Sequence, residues 1–182
     1  MVPQQVGNCS TYAETQPAGV PGRAVLVEVY LLRCRPDGLL AYRREAGPLV
    51  PGEAPDDAAG QLGTRPGGPG DAVAVLHSTS WRHLQDGTIV LTYAALPDPE
   101  PDRPAVPILD PGLARSADPR RPSPPEVTHE QVAAHAARHF SLLAGTDPLV
   151  RLALEQFPDL SRALAPLVPA PAGQLAGRPG PS

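Results

Sequence analysis

Apolar positions fall into two rhythms along this chain, one of strands and one of helices. From Arg23 to Arg35 (RAVLVEVYLLRCR) Val and Leu follow one another almost without interruption, as in a strand covered on both faces. Pro36-Asp37-Gly38 then marks a turn, because Pro fixes φ and Gly accepts a positive φ. Leu39 to Glu45 returns as the second strand of a hairpin. Residues 46–70 show no clean period. Pro55 to Ala59 suit the first turn of a helix, with a proline and two acids, and Gly60, Gly63 and the run Pro66 to Gly70 end it quickly. The clearest β pattern is Asp71 to Leu96, where AVAVLHSTSW and TIVLTYAAL flank Gln85-Asp86-Gly87, a strong hairpin turn. In the second run Ile89, Leu91 and Tyr93 point one way and Val90, Thr92 and Ala94 the other. The stretch 97–126 is a proline-rich connector in which nothing demands regular structure, and only Ile108 and Leu109 are expected to dock. Helical spacing starts at Thr128, with Gln131 three positions on as a capping box, and stops at Gly145. Asp147-Pro148 opens a second helix ending near Phe157. Pro158 opens a third, with Leu160, Leu164 and Leu167 apolar. Strands, a short helix, strands and terminal helices make an α+β layered domain.

Composition narrows the ordered part. The 182 residues suffice for one domain with a real core, but 26 prolines and 17 glycines gather before residue 23, between Pro97 and Pro125, and after Pro166. The expected organisation is a flexible segment over 1–22, a single domain over 23–168 that includes the connector, and a disordered tail over 169–182. That leaves roughly 130 ordered residues, within the usual domain range. All 15 basic residues are arginine, which with the Ala, Gly and Pro content points to a GC-rich coding sequence more than to a function. The net charge of −4, the lack of a basic run and the few aromatics argue against nucleic acid as a partner. Cys9 and Cys34 support neither a disulfide framework nor a cysteine zinc site. No signal peptide opens the chain, and no apolar run approaches the ~20 residues of a membrane span, so a cytoplasmic protein is expected.

One segment carries a family resemblance. Gly47 and Glu53 satisfy G-x5-E, and Pro51-Gly52-Glu53-Ala54-Pro55-Asp56-Asp57-Ala58-Ala59 is similar to the P-G-E-x-P-x-x-A-A opening of a Nudix box. Its place after one hairpin and before a strand pair fits, and His77 to Tyr93 has the look of the strand pair that follows the box. Over about residues 23–96 the chain resembles the Nudix superfamily, which implies a layered α/β/α fold with a mixed sheet and C-terminal helices. The second half of the box departs from the pattern. Without a gap, Gln61 to Pro66 stand where R-E-U-x-E-E is required; with one deletion, Gln61-Leu62 falls on E-L and Thr64-Arg65 on E-E. In neither register does a glutamate occupy a metal position. Nudix hydrolysis relies on Mg²⁺ held by those glutamates, and Mg²⁺ needs carboxylate oxygens. The resemblance therefore implies a non-hydrolytic module without cofactor that binds a nucleotide-like small molecule or regulates; the protein partner, if regulation needs one, is not identified. The alternative is a pyrophosphohydrolase of nucleoside diphosphate derivatives whose Mg²⁺ is held by other carboxylates, such as Glu53, Asp56, Asp57 or Glu28.

Further candidates carry a plain reading beside the functional one. Glu53, Asp56 and Asp57 read first as acids favourable to a helix N-terminus. Trp81 reads as core and Arg82 as solvated; in a Nudix-like cleft they become the ring and guanidinium that hold a base and a phosphate. His135 and His139, four apart on the first C-terminal helix, share a face and could bind Zn²⁺ with His129, His77 or His83. That face also carries Val132, Ala136 and Leu143, which makes packed histidines the simpler expectation. Ser78, Thr79 and Ser80 beside His77 and His83 lack a nucleophile elbow and read as hydroxyls pairing across strands.

Overall fold

A computed structural model describes residues 24–64, 73–114, 116, 118, 120, 124 and 126–169. The flexible lead-in and tail expected from the sequence, and Cys9, lie outside the described residues, save Pro169 at the edge of the tail. Five strands, β1 (Val25–Cys34), β2 (Leu40–Pro48), β3 (Val75–His83), β4 (Ile89–Leu96) and β5 (Val106–Pro107), form one sheet in the order β3-β4-β1-β2-β5. The β1–β4 pair is parallel and all other pairs are antiparallel. Helix α1 (Pro55–Gly63) covers one face, and α2 (His129–Thr146), α3 (Pro148–Glu155) and α4 (Pro158–Leu164) cover the other. The mixed sheet between helical layers is the α+β, α/β/α architecture expected.

Central position explains the near-continuous apolar run of β1. Val27, Val29 and Leu31 pack with Ala58, Ala59 and Tyr93 under α1, while Tyr30 and Leu32 pack with Phe140, Leu160 and Leu164 under the C-terminal helices. Each fully buried Val, Leu or Phe among these contributes about 1.5–3 kcal/mol of transfer free energy. The two hairpin turns form at Gly38 (φ 84°) and Gly87 (φ 91°), each preceded by an aspartate whose Oδ1 accepts a backbone N–H two residues on. Thr128 caps α2 through the reciprocal Gln131 box, and Asp147 caps α3 by accepting from the amides of Leu149 and Val150. Among the described residues no helix is long and apolar enough to cross a membrane.

Two features depart from the expected pattern. Strand β5 lies within the proline-rich connector: Val106 and Pro107 pair with Tyr42 and Ala41, and Ile108 is buried while Leu109 is 71% exposed. Pro107 is tolerated because an edge strand need not donate on both sides. The second is a bulge in β3. Ser78 pairs with Tyr93 and Ser80 with Thr92, so Thr79 is the extra residue, and its Oγ1 donates to the carbonyl of Thr92 at 3.2 Å. The bulge inverts the strand's alternation, so that Ser78 and Trp81 lie on the same face of the sheet.

Candidate functional site

That face is the one carrying α1. Trp81 pairs with Leu91, and Leu91 packs with Val27 and Tyr93 in the α1 cluster. Helix α1 begins level with Tyr93, whose hydroxyl donates to Asp56 Oδ1 at 2.5 Å, and ends near Leu31, beside Gly63. The helix therefore runs away from the Leu91–Trp81 row, where Leu91 stays partly buried and Trp81 is left uncovered. Trp81 is 68% exposed at the edge strand, not core as expected from its strand position. The segment leading into α1 is fixed by Glu53: its Oε2 accepts from the amide of Val50 (3.3 Å) and its Oε1 from Gln61 Nε2 (3.0 Å). Burial and then the Asp56 bond push the Tyr93 phenol up to about 12, so it stays a donor. Asp57 stands exposed in the first turn. Glu53 and Asp56 are thus both engaged in hydrogen bonds that hold the loop and helix to the sheet.

Arg82 is one residue from Trp81 but on the opposite face, and it is not solvated. Its Nη1 and Nη2 clamp the carboxylate of Glu28, which is fully buried in β1. Thr92 Oγ1 (2.7 Å) and Arg44 Nε (2.8 Å) complete the shell around Glu28. Burial drives the Glu28 carboxyl up, but the bonds from Arg82, Thr92 and Arg44 outweigh it and hold the group below its usual range. Two corrections follow. Trp81 and Arg82 do not form one ligand clamp, because adjacent strand residues project to opposite sides. Glu28 cannot join Asp56 or Asp57 around a metal, because the sheet separates it from α1.

The histidines divide. His135 and His139 are half-buried on α2, and His139 meets His77 of β3: Nε2 to Nδ1 is 3.2 Å, with ring centroids 4.8 Å apart. His77 Nδ1 also lies 2.8 Å from the carbonyl of Ser78. With Nδ1 donating there, His139 Nε2 is the acceptor and its proton sits on Nδ1, a buried atom without a partner; His135 Nε2 is likewise buried and unpartnered. The two rings are packed and half-buried, with His139 bonded to His77, while one nitrogen of each ring is left without a partner. His129 is engaged by the Tyr30 hydroxyl at 2.8 Å, and His83 is exposed at the end of β3. Among the described residues no three His, Cys, Asp or Glu side chains are grouped to hold a metal ion.

Sequence reasoning missed a second ionic cluster. Buried Asp98, just past β4, accepts from Arg33 Nη1 (3.1 Å) and from Arg43 Nη2 (2.7 Å) and Nε. Arg43 also meets Glu45 (2.5 Å) and Glu100 (3.1 Å), and Arg103 meets both of those acids. These bonds tie the start of the connector to β1 and β2. No local signal at Arg43-Arg44-Glu45 announces the cluster; only the fold brings Asp98 to Arg43. Comparison with protein-family models, curated proteins and solved structures yields no match to this chain.

Proposed function

We propose that the chain is a Nudix-like module that binds a nucleotide-like small molecule on the α1 face of its sheet and does not hydrolyse it. The observation that carries this reading is Trp81: a large ring left 68% exposed beside the open end of α1, where stacking on a base would bury it. The acids at that end support the non-hydrolytic half. Glu53 and Asp56 are engaged by Gln61, Val50 and Tyr93. If the Nudix pattern is laid on α1, the gapped register is the compatible one, since Leu62 packs into the core and suits the aliphatic position. Gln61 then replaces a metal-binding glutamate with a neutral amide that hydrogen-bonds Glu53. Arg82 drops out of the site because Glu28 holds it.

A thermal-shift panel of nucleoside diphosphate derivatives, each with and without Mg²⁺, Mn²⁺ or Zn²⁺, tests this. Ligand at about a hundred times its dissociation constant adds ~2.7 kcal/mol of stability. The expected result is a shift independent of metal and absent in Trp81→Ala. A shift that requires Mg²⁺ or Mn²⁺ favours the hydrolase with recruited carboxylates, and a shift with Zn²⁺ alone favours a site at His135 and His139.

A further inference from the structure

On the opposite face of the sheet, two guanidiniums converge on one carboxylate. Arg82 and Thr92 hold Glu28 from one side and Arg44 reaches it through Nε, which leaves its two Nη atoms without an acceptor among the described residues. The Arg44 side chain is 31% exposed and lines a cavity of about 480 Å³ at the outer edge of β2. The cavity exists because β5 is so short: it pairs only as far as Tyr42, and the edge of β2 beyond is open. Arg103, His129, Tyr42 and Val106 supply further walls.

The cavity's charged walls are three guanidiniums, Arg43, Arg44 and Arg103, against one carboxylate, Glu45. With the Tyr30 hydroxyl donating to His129 Nδ1, the His129 proton sits on Nε2. His129 is also the first residue of an 18-residue helix, where the backbone dipole favours negative charge. The acids at the site are already paired, Glu45 within the cavity wall and Glu130 beside it. Glu45 is bridged by Arg43 and Arg103, and Glu130 accepts the amides of Leu109 and Asp110. The cavity opens at the edge of β2, where Arg44 and Tyr42 from one face of the sheet meet Arg43 and Glu45 from the other, and it is a cationic spot in a chain whose net charge is −4.

We propose that this cavity binds the phosphate group of a small metabolite, gripped by the Arg44 Nη atoms with Arg103 and His129, its apolar part resting on Tyr42 and Val106. A guanidinium fork with unspent donors matches phosphate oxygens in geometry as well as charge. The site lies across the sheet from Trp81, at the other end of the strand order, and does not depend on the nucleotide reading.

Inorganic phosphate is titrated into the full chain against sodium chloride at matched ionic strength, with melting temperature as the readout. Phosphate stabilises folded proteins generally by exclusion, without saturation, so variants provide the discrimination. The wild type and Arg162→Gln, which removes an equal charge from an exposed pair on α4, are expected to show a saturable shift. Arg44→Gln, in which Arg82 still neutralises Glu28, is expected to weaken the midpoint at least tenfold, and Arg103→Gln to weaken it as well. Circular dichroism checks the fold; should Arg44→Gln be unfolded, the Arg103→Gln midpoint decides. A response that does not saturate, or that is the same in Arg103→Gln and Arg44→Gln as in the wild type, overturns the proposal. Loss in these variants with nucleotide binding intact separates this site from the one at Trp81.

Discussion

Glu28 is the residue on which the sheet's electrostatics turn. A carboxylate taken wholly out of water costs several kcal/mol, and here Arg82, Thr92 and Arg44 offset that cost. Glu28→Gln keeps the shape but strands the charge of Arg82 against a buried amide. The expected destabilisation is about 3 kcal/mol, read as a lowered urea midpoint with unchanged slope. A Glu28→Gln midpoint equal to that of the wild type would mean that the ion pair contributes nothing net. The pairing was not legible in the sequence, although both residues were noted. Glu28 stood in an apolar run and Arg82 beside a tryptophan 54 positions away; only the parallel β1–β4 register and the β3 bulge bring them to one face. The same bulge defeats strict alternation at Trp81, which is why a strand tryptophan that reads as core stands in solvent.

Elements with local chemical signals were read well. The Asp-Gly turns, the Thr128–Gln131 box and the Asp147-Pro148 cap each act within four residues, so the turns of both hairpins and the starts of α2 and α3 were visible beforehand, while the far end of β2 at Pro48 was not. Strand β5 was not, because two residues, one of them proline, carry no period and form only when β2 offers an edge. Helix α2 has a pH dependence of its own. Burial lowers the pKa of His135, and burial with the neighbouring His77 and His135 lowers that of His139, both from an ordinary 6.5. A depressed histidine binds its proton more readily in the unfolded chain. Its contribution is therefore complete above pH 6.5 and is lost as pH falls below that, before the Glu28 contribution is touched. Denaturant midpoints between about pH 7 and pH 5 are expected to fall in the wild type and to fall less in the His135→Leu/His139→Leu double variant, where His129, its pKa also lowered by desolvation, keeps the remainder. A wild-type profile already flat there contradicts the neutral, buried state of these rings.

At the scale of the whole molecule, the layers separate two kinds of surface. Helix α1 is too short to cover its face, which leaves Trp81 open beside acids already bound to Gln61 and Tyr93. Helices α2, α3 and α4 cover the other face, and the truncated β5 leaves the Arg44 cavity at its margin. The layered architecture was readable because alternating and continuous apolar runs determine which strands are covered. The sites were less so, because each depends on where a covering element stops. Trp81 is the chain's single tryptophan, so its emission reports directly on that open face. The decisive measurement is a fluorescence titration with nucleoside diphosphate derivatives, with and without Mg²⁺, alongside an assay for released phosphate. Saturable quenching without metal and without phosphate release is the predicted result. Quenching only with Mg²⁺, accompanied by phosphate release, or an emission that no nucleotide changes, contradicts the account.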